Sequence, residues 1–272
     1  MKALLAARKG TFLENLSDPF TKARNALFGT VFQHIQFVPI TESTNDDAVK
    51  FLGHSQASGL TIATNFQTKG VGRKGRAWIA PMATSLLFTT ILPVTFEPAE
   101  LWAAPFWIGM AIHSALKFHK IQTTLQWPND LLLDGRKVAG ILCVSRGQGA
   151  RAWVACGVGI NVKRTDDPAY QEVDPPPAFI SDVSDVDRVE LLSTILQHYD
   201  SSLKLLDHPH LVAHRWEEAA QLKDTPYHLL VDGETQAIEG KAIRLGHHGE
   251  LIVNVNDHIR EIRMADARVV RS

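Results

Sequence analysis

Between Asp47 and Glu97 the chain has no carboxylate, although 29 acids spread evenly over 272 residues would put about five there. Cations in that stretch therefore lack a neighbouring counter-charge. Cysteine is almost missing as well. Cys143 and Cys156 are the only two, each inside an apolar run, and they read as buried strand thiols rather than a disulfide or a reactive nucleophile. No Cys/His cluster carries zinc-ligand spacing, and the twelve histidines are scattered. No apolar run approaches transmembrane length, and the one at Met1–Arg8 is too short for a signal peptide. With a net charge of −1 and a pI near 6.9, the molecule as a whole exerts no electrostatic pull on nucleic acid. These absences argue against membrane and nucleic-acid partners, and a reducing cytoplasm fits best.

The acid-free stretch contains Gln67-Thr-Lys-Gly-Val-Gly-Arg-Lys-Gly-Arg-Ala-Trp78, with three glycines and four cations, Lys69, Arg73, Lys74 and Arg76. Glycine lets a backbone approach a ligand closely. Cations without counter-carboxylates suit an anion, with phosphate the foremost candidate. The spacing Gly70-x-Gly72-x-x-Gly75 matches the dinucleotide fingerprint literally, but that fingerprint opens a helix and finds an acid about 20 residues on. Here the loop runs into Ala77–Pro81, a poor helix, and no acid appears before Glu97. A P-loop requires Gly-Lys followed by Ser or Thr, where this chain has Gly75-Arg76-Ala77. Both common nucleotide motifs fail.

Residues 1–35 read as a short, weakly amphipathic helical extension broken at Asp18-Pro19. Strands are expected at 35–38, 60–64, 85–92, 124–127, 131–133, 137–144 and 152–162, with a hairpin turn at Asp134-Gly135. Ser43 or Thr44 can cap a helix running to Leu52. The strongest helix lies over 98–120, and two more are expected at about 186–206 and 209–220. Residues 164–185, rich in proline, read as a loop. From Tyr227 the hydrophobic period switches to two, with glycine turns at Gly233, Gly240 and Gly249, which predicts a small all-β module closing into a short barrel.

The glycine loop has companions. Ser43-Thr44-Asn45 precedes it; Gln126-Trp127-Pro128-Asn129-Asp130, then Lys137-Val138-Ala139-Gly140-Ile141-Leu142, then Gly157-Val158-Gly159-Ile160-Asn161 follow in order. With Gln67, the loop and Trp78, this series resembles biotin protein ligases over about residues 36–270, the small β module included. The resemblance implies an α+β fold: a mixed sheet with helices on one side, similar to the class II synthetase-like catalytic domain of biotin and lipoate ligases, plus an SH3-like C-terminal β-barrel. It divides the chain into an N-terminal extension (1–35), a catalytic domain (36–221) and the barrel (222–272). The extension is too short for a complete winged DNA-binding domain, so a monofunctional ligase is expected.

The activity implied by the resemblance is formation of biotinyl-5′-AMP from biotin and ATP, then transfer of biotin to a lysine of a biotin carboxyl carrier domain, as in an acetyl-CoA carboxylase subunit. An anion must approach a polyanion in the first step, so fixed positive charge is required. Arg73 and Lys137 are implied as the catalytic cations. Ser43, Thr44, Asn45, Gln67, Gly70, Gly72, Gly140 and Leu142 join them around biotin. Arg76, Trp78, Asn129, Asp130 and Asn161 join them around the nucleotide, with Mg²⁺ arriving alongside ATP near Asn129 and Asp130 and no permanently bound cofactor. Simpler roles stand beside these: Ser43 and Thr44 as helix caps, Trp127 as a core aromatic, Asp134 and Arg136 as exposed turn residues. The chain departs from the family pattern at Val71, where the loop usually has a cation, and at Gln126, where Lys precedes Trp-Pro-Asn-Asp. Those losses keep open a binding protein that does not catalyse, and a lipoate or octanoate ligase is the other alternative. Homodimerisation through the sheet is a family habit that nothing in the sequence decides.

Overall fold

The computed structural model describes residues 17–270. Of the helical extension expected over residues 1–35, residues 1–16 lie outside the described part. The remainder holds one short helix, α1 (Thr21–Ala26), which begins just past Asp18-Pro19. Asp18 turns the chain there by accepting from the Phe20 N–H at 2.9 Å and from the Arg24 guanidinium at 2.6 Å.

Seven strands follow: β1 (Ile35–Thr41), β2 (Thr61–Gln67), β3 (Ser85–Phe96), β4 (Thr124–Gln126), β5 (Asp130–Leu133), β6 (Arg136–Gln148) and β7 (Arg151–Asn161). They form one sheet in the order β1-β2-β3-β7-β6-β5-β4. Only β1 and β2 run parallel; the other neighbours are antiparallel. A parallel pair needs a crossover, and the helical part of this one is α2 (Thr44–Val49). Between β5 and β6, Asp134 and Gly135 both take positive φ, 49° and 74°, the geometry that closes a two-residue hairpin.

The expectation of helices on one side is corrected by α2. Neighbouring strand residues point to opposite faces. Ile62, Ile91 and Ala155 join Ala48 and Leu52 in a small core beside α2, while Ala63, Leu86, Cys156 and Val158 face the main core. That main core is covered by α3 (Ala103–Phe118) and α4 (Arg188–Ser202). With so few apolar residues on a helix this short, α2 carries no strong periodic signal for the face it covers. Helix α3 buries residues all round because α4 and α5 (Pro209–Ala220) pack on it as well as the sheet. Asp187 caps α4, accepting from the N–H groups of Val189 and Glu190 at 2.7 and 2.9 Å.

The C-terminal strands are β8 (Pro226–Val231), β9 (Ile238–Leu245), β10 (Leu251–Val255), β11 (His258–Ile262) and β12 (Ala267–Val269). The expected barrel is not there. The order β11-β10-β9-β8-β12 leaves β11 and β12 as two unpaired edges, so this is an open antiparallel sheet. Alternation and glycine turns foretell strands and hairpins, but closure requires the first and last edges to meet. The last strand is only three residues long and pairs with β8 alone.

Trp127 ties the two sheets together and is the core aromatic it was read as. It is fully buried, its indole N–H donates to the Gly249 carbonyl at 3.0 Å, and its backbone N–H donates to the Tyr227 hydroxyl at 3.2 Å. Replacing it with phenylalanine keeps most of the apolar contact but leaves the buried Gly249 carbonyl unpaired. The expected cost is about 1–3 kcal/mol, visible as a lower urea midpoint at unchanged slope. Among the described residues no helix is long and apolar enough to cross a membrane.

Candidate functional site

One cavity of about 360 Å³ opens where β2, the loop after it, β6, β7 and β12 converge. Its floor is made flat by glycine. A Cβ on Gly159 would sit 2.5 Å from Trp78 Cε2, one on Gly157 would sit 2.3 Å from Asn45 Oδ1, and one on Gly140 would sit 2.9 Å from Lys137 Nζ. No side chain fits at these three positions without moving the residue above it. The strands are thus smooth because three chemical groups lie directly on them.

At one end of the cavity is a polar network. Gln67, at the end of β2, accepts through Oε1 from the Thr44 N–H at 2.8 Å and from its hydroxyl at 3.0 Å. Thr89 Oγ1 lies 2.7 Å from Thr44 Oγ1 and 2.9 Å from Asn45 Oδ1, and the Asn45 amide donates to the Leu142 carbonyl at 3.1 Å. Ser43, Thr44 and Asn45 are all buried. Ser43 occupies the N-cap position of α2, yet its hydroxyl makes no capping hydrogen bond. Ser43 therefore does not cap the helix through its hydroxyl, and the Thr44 hydroxyl is engaged by Gln67 and Thr89.

The other end carries charge. The loop after β2 folds back on itself, with Gly72 N–H donating to the Arg76 carbonyl at 2.7 Å and Trp78 N–H to the Gly70 carbonyl at 2.8 Å. Its tip needs left-handed backbone at Lys74 and Gly75, φ 55° and 72°. Lys137 Nζ stands 5.4 Å from the centre of the Trp78 ring and 2.7 Å from Asp130 Oδ1. Arg73 donates to Asn129 Oδ1 at 3.4 Å, to the Ala267 carbonyl at 3.3 Å and to the Met264 carbonyl. Burial lowers the Arg73 guanidinium from its ordinary value and the Asp130 carboxylate opposes the shift; it remains a cation at neutral pH.

The structure brings Ser43, Thr44, Asn45, Gln67, Gly72, Arg73, Arg76, Trp78, Asn129, Lys137, Gly140, Leu142 and Asn161 to this one cavity. Two expected residues stand behind its wall. Gly70 lets the loop close, since a Cβ there would lie 2.8 Å from the Trp78 carbonyl. Asp130 is buried and paired with Lys137. Asn129 donates to the Ile141 carbonyl at 2.6 Å and Asn161 to the Lys137 carbonyl at 3.4 Å, so both amides also hold backbone. Among the described residues no three His, Cys, Asp or Glu side chains gather as a metal site.

Further wall residues were not singled out one by one in the sequence. Tyr170, Val173, Asp174, Pro175 and Pro177 come from the segment read as a loop, and Arg268 comes from β12. The prolines of that loop were the one visible signal of ordered backbone. Nothing in the sequence tied Arg268 to the glycine loop.

The profile of the Biotin/lipoate A/B protein ligase family matches residues 37–161. A biotin--[acetyl-CoA-carboxylase] ligase of Mycobacterium tuberculosis (strain ATCC 25618 / H37Rv) is 29% identical over 186 residues, 64% of this chain and 66% of that protein. The bifunctional ligase/repressor BirA of Escherichia coli (strain K12) is 27% identical over 205 residues, 72% of this chain and 62% of that protein. The chain therefore spans somewhat less than two thirds of the length of these two relatives. Among solved structures, a biotin protein ligase from Aquifex aeolicus in complex with biotin and ATP superposes with a TM-score of 0.71 at 24% identity, covering 89% of this chain and all of that one. At that identity the likeness speaks for the fold alone.

Proposed function

We propose that this chain, whose residues 37–161 match the Biotin/lipoate A/B protein ligase family, activates biotin with MgATP and transfers it to a lysine of a biotin carboxyl carrier domain. In the first step a biotin carboxylate oxygen attacks the α-phosphorus, the bond to the β-phosphate oxygen breaks, and pyrophosphate leaves. In the second, the lysine amine attacks the acyl carbon, AMP departs with the electron pair, and the amine proton passes to solvent. Neither step calls for a covalent enzyme intermediate.

The observation that carries this reading is the division of one cavity into an uncharged hydrogen-bonding end and a cationic end. Thr44, Asn45 and Gln67 offer donors and acceptors that suit a ureido ring held by hydrogen bonds rather than by charge. Lys137, held at 2.7 Å by buried Asp130, presents a fixed cation where charge develops on the α-phosphate. Trp78 offers a ring face for adenine, and its indole lies flat on the glycine floor at Gly159. Magnesium belongs to the nucleotide substrate in this scheme, near Asn129, rather than to a site of the protein.

A mixture of protein, MgATP, biotin and an isolated carrier domain tests the reading. Biotin-dependent mass gain on one carrier lysine is the expected result. Tight biotin binding with no labelling would favour a binding protein, and labelling that prefers octanoate or lipoate would favour the related ligase.

A further inference from the structure

The geometry points to Cys143 and Cys156 as a redox-responsive pair, which a peroxide converts to a disulfide that loosens the uncharged end of the cavity. The disulfide follows from the placement of the thiols alone; its effect on biotin rests on the ligase reading above. The two cysteines stand directly opposite each other in the β6–β7 register. Opposed residues on antiparallel strands have Cα atoms about 4.5 or 5.5 Å apart, and a disulfide spans about 4.4–6.8 Å. No change of register is needed. Both side chains face the same way, Cys156 into the main core and Cys143 packed against it. They are free thiols, and Cys143 Sγ donates to Cys156 Sγ at 2.7 Å. The sulfurs already meet.

The two thiols are not equivalent. Cys143 departs from the buried strand thiol its sequence suggests: it is half-buried and lines a second cavity, of about 310 Å³, beside Trp102, Val154 and Met264. A peroxide is little larger than water and fits there. Cys156 is fully buried, and burial pushes its thiol well up, so it keeps its proton until its partner is oxidised. The Cys143 thiolate attacks one peroxide oxygen and the O–O bond breaks. The departing hydroxide takes up the proton that Cys143 gave to solvent, and Cys143 is left as a sulfenic acid. The Cys156 sulfur then attacks Cys143 Sγ, the S–O bond breaks, and the Cys156 proton leaves with the hydroxyl as water. Two electrons pass from the thiol pair to the peroxide, and a small thiol reductant returns them.

The bond is felt in the cavity because the thiols sit on the reverse of its floor. Leu142 and Gly157, their chain neighbours, also oppose each other in the register and line the cavity. The Leu142 carbonyl holds the Asn45 amide at 3.1 Å, and Gly157 accommodates Asn45 only because it lacks a Cβ. Opposed Cβ atoms lie about 4.5–5.5 Å apart, whereas a disulfide holds them at about 3.8 Å. Closing it draws β6 and β7 together, and Asn45 moves with its two contacts. Lys137, nearer the start of β6, is spared.

The test uses the full chain. Reduced protein is treated with hydrogen peroxide, its remaining thiols are alkylated with N-ethylmaleimide, and its peptides are mapped by mass spectrometry. A peptide pair joined through Cys143 and Cys156, and released by dithiothreitol, is the expected product. In Cys156→Ala the same treatment should leave a sulfenic acid on Cys143, which dimedone traps. Calorimetric titration should show biotin binding the oxidised wild type about ten- to a hundred-fold more weakly than the reduced protein, with ATP affinity unchanged. Cys143→Ser should bind biotin like the reduced wild type both before and after peroxide. Peroxide-dependent loss of biotin affinity in that variant would place the lesion elsewhere, at Met264 for example, and overturn the proposal. Full alkylation of both cysteines after peroxide, or a cross-linked protein with the reduced protein's biotin affinity, would also overturn it. If the reduced wild type binds no biotin, the ligase reading fails, while the peptide map still decides whether the two thiols form a redox site.

Discussion

Replacing Lys137 with methionine is expected to slow adenylate formation about 10²–10³-fold, the usual effect of deleting one preorganised donor to developing charge. Methionine keeps much of the apolar stem that lies over the Gly140 floor and near Trp78. What is lost is the ammonium 2.7 Å from Asp130. That substitution alone takes away the ammonium that offsets the buried Asp130 carboxylate, which destabilises the fold and clouds the kinetics. The paired variant Lys137→Met with Asp130→Asn removes this second effect, because the amide has no charge to compensate. Single-turnover release of pyrophosphate should remain at least a hundredfold slow in the paired variant while its thermal melting stays near wild type. Rates within about threefold of wild type in a folded paired variant would remove Lys137 from the chemistry.

The second large effect is expected from a single methyl group. Gly159→Ala puts a Cβ 2.5 Å from the Trp78 ring, in the middle of a sheet that has no freedom to yield. The indole must tilt away from its place on the floor. A displacement of about 1 Å in a positioning group is worth roughly 10² in rate, so adenylation should fall by about that factor, with the KM for ATP raised and biotin binding retained. Gly157→Ala meets Asn45 instead, at 2.3 Å, and is expected to reverse the pattern by weakening biotin while sparing the nucleotide. The contrast is the informative part. If both alanines weakened biotin alone, Trp78 would not be a nucleotide platform.

The cavity was legible in the sequence to the extent that its parts obey local constraints. Gly140, Gly157 and Gly159 stand on buried strands where a side chain would be the default, and a ring, an ammonium or an amide lies on each. Asp134-Gly135 specifies its own turn. The acid-free stretch correctly marked a cationic loop. What stayed hidden depends on partners far along the chain. Arg73 is drawn to carbonyls 191 and 194 residues away, and a carbonyl acceptor leaves no trace in residue type. Arg268 looks like any strand arginine until β12 is seen lying beside the glycine loop. The open C-terminal sheet escaped notice for a related reason: alternation is a property of each strand, whereas closure is a relation between the two edges. Asp130 lies next to Asn129 in a motif, yet a one-residue step along the chain sends the carboxylate to Lys137 rather than into the cavity.

The most direct measurement omits the carrier. Purified protein is incubated with MgATP and biotin, quenched, and assayed by mass spectrometry for biotinyl-5′-AMP and by a coupled assay for pyrophosphate. Adenylate and pyrophosphate appearing together, and only when biotin is present, is the result expected of a cavity that holds both reactants. Saturable biotin binding with no pyrophosphate above the biotin-free control would contradict it.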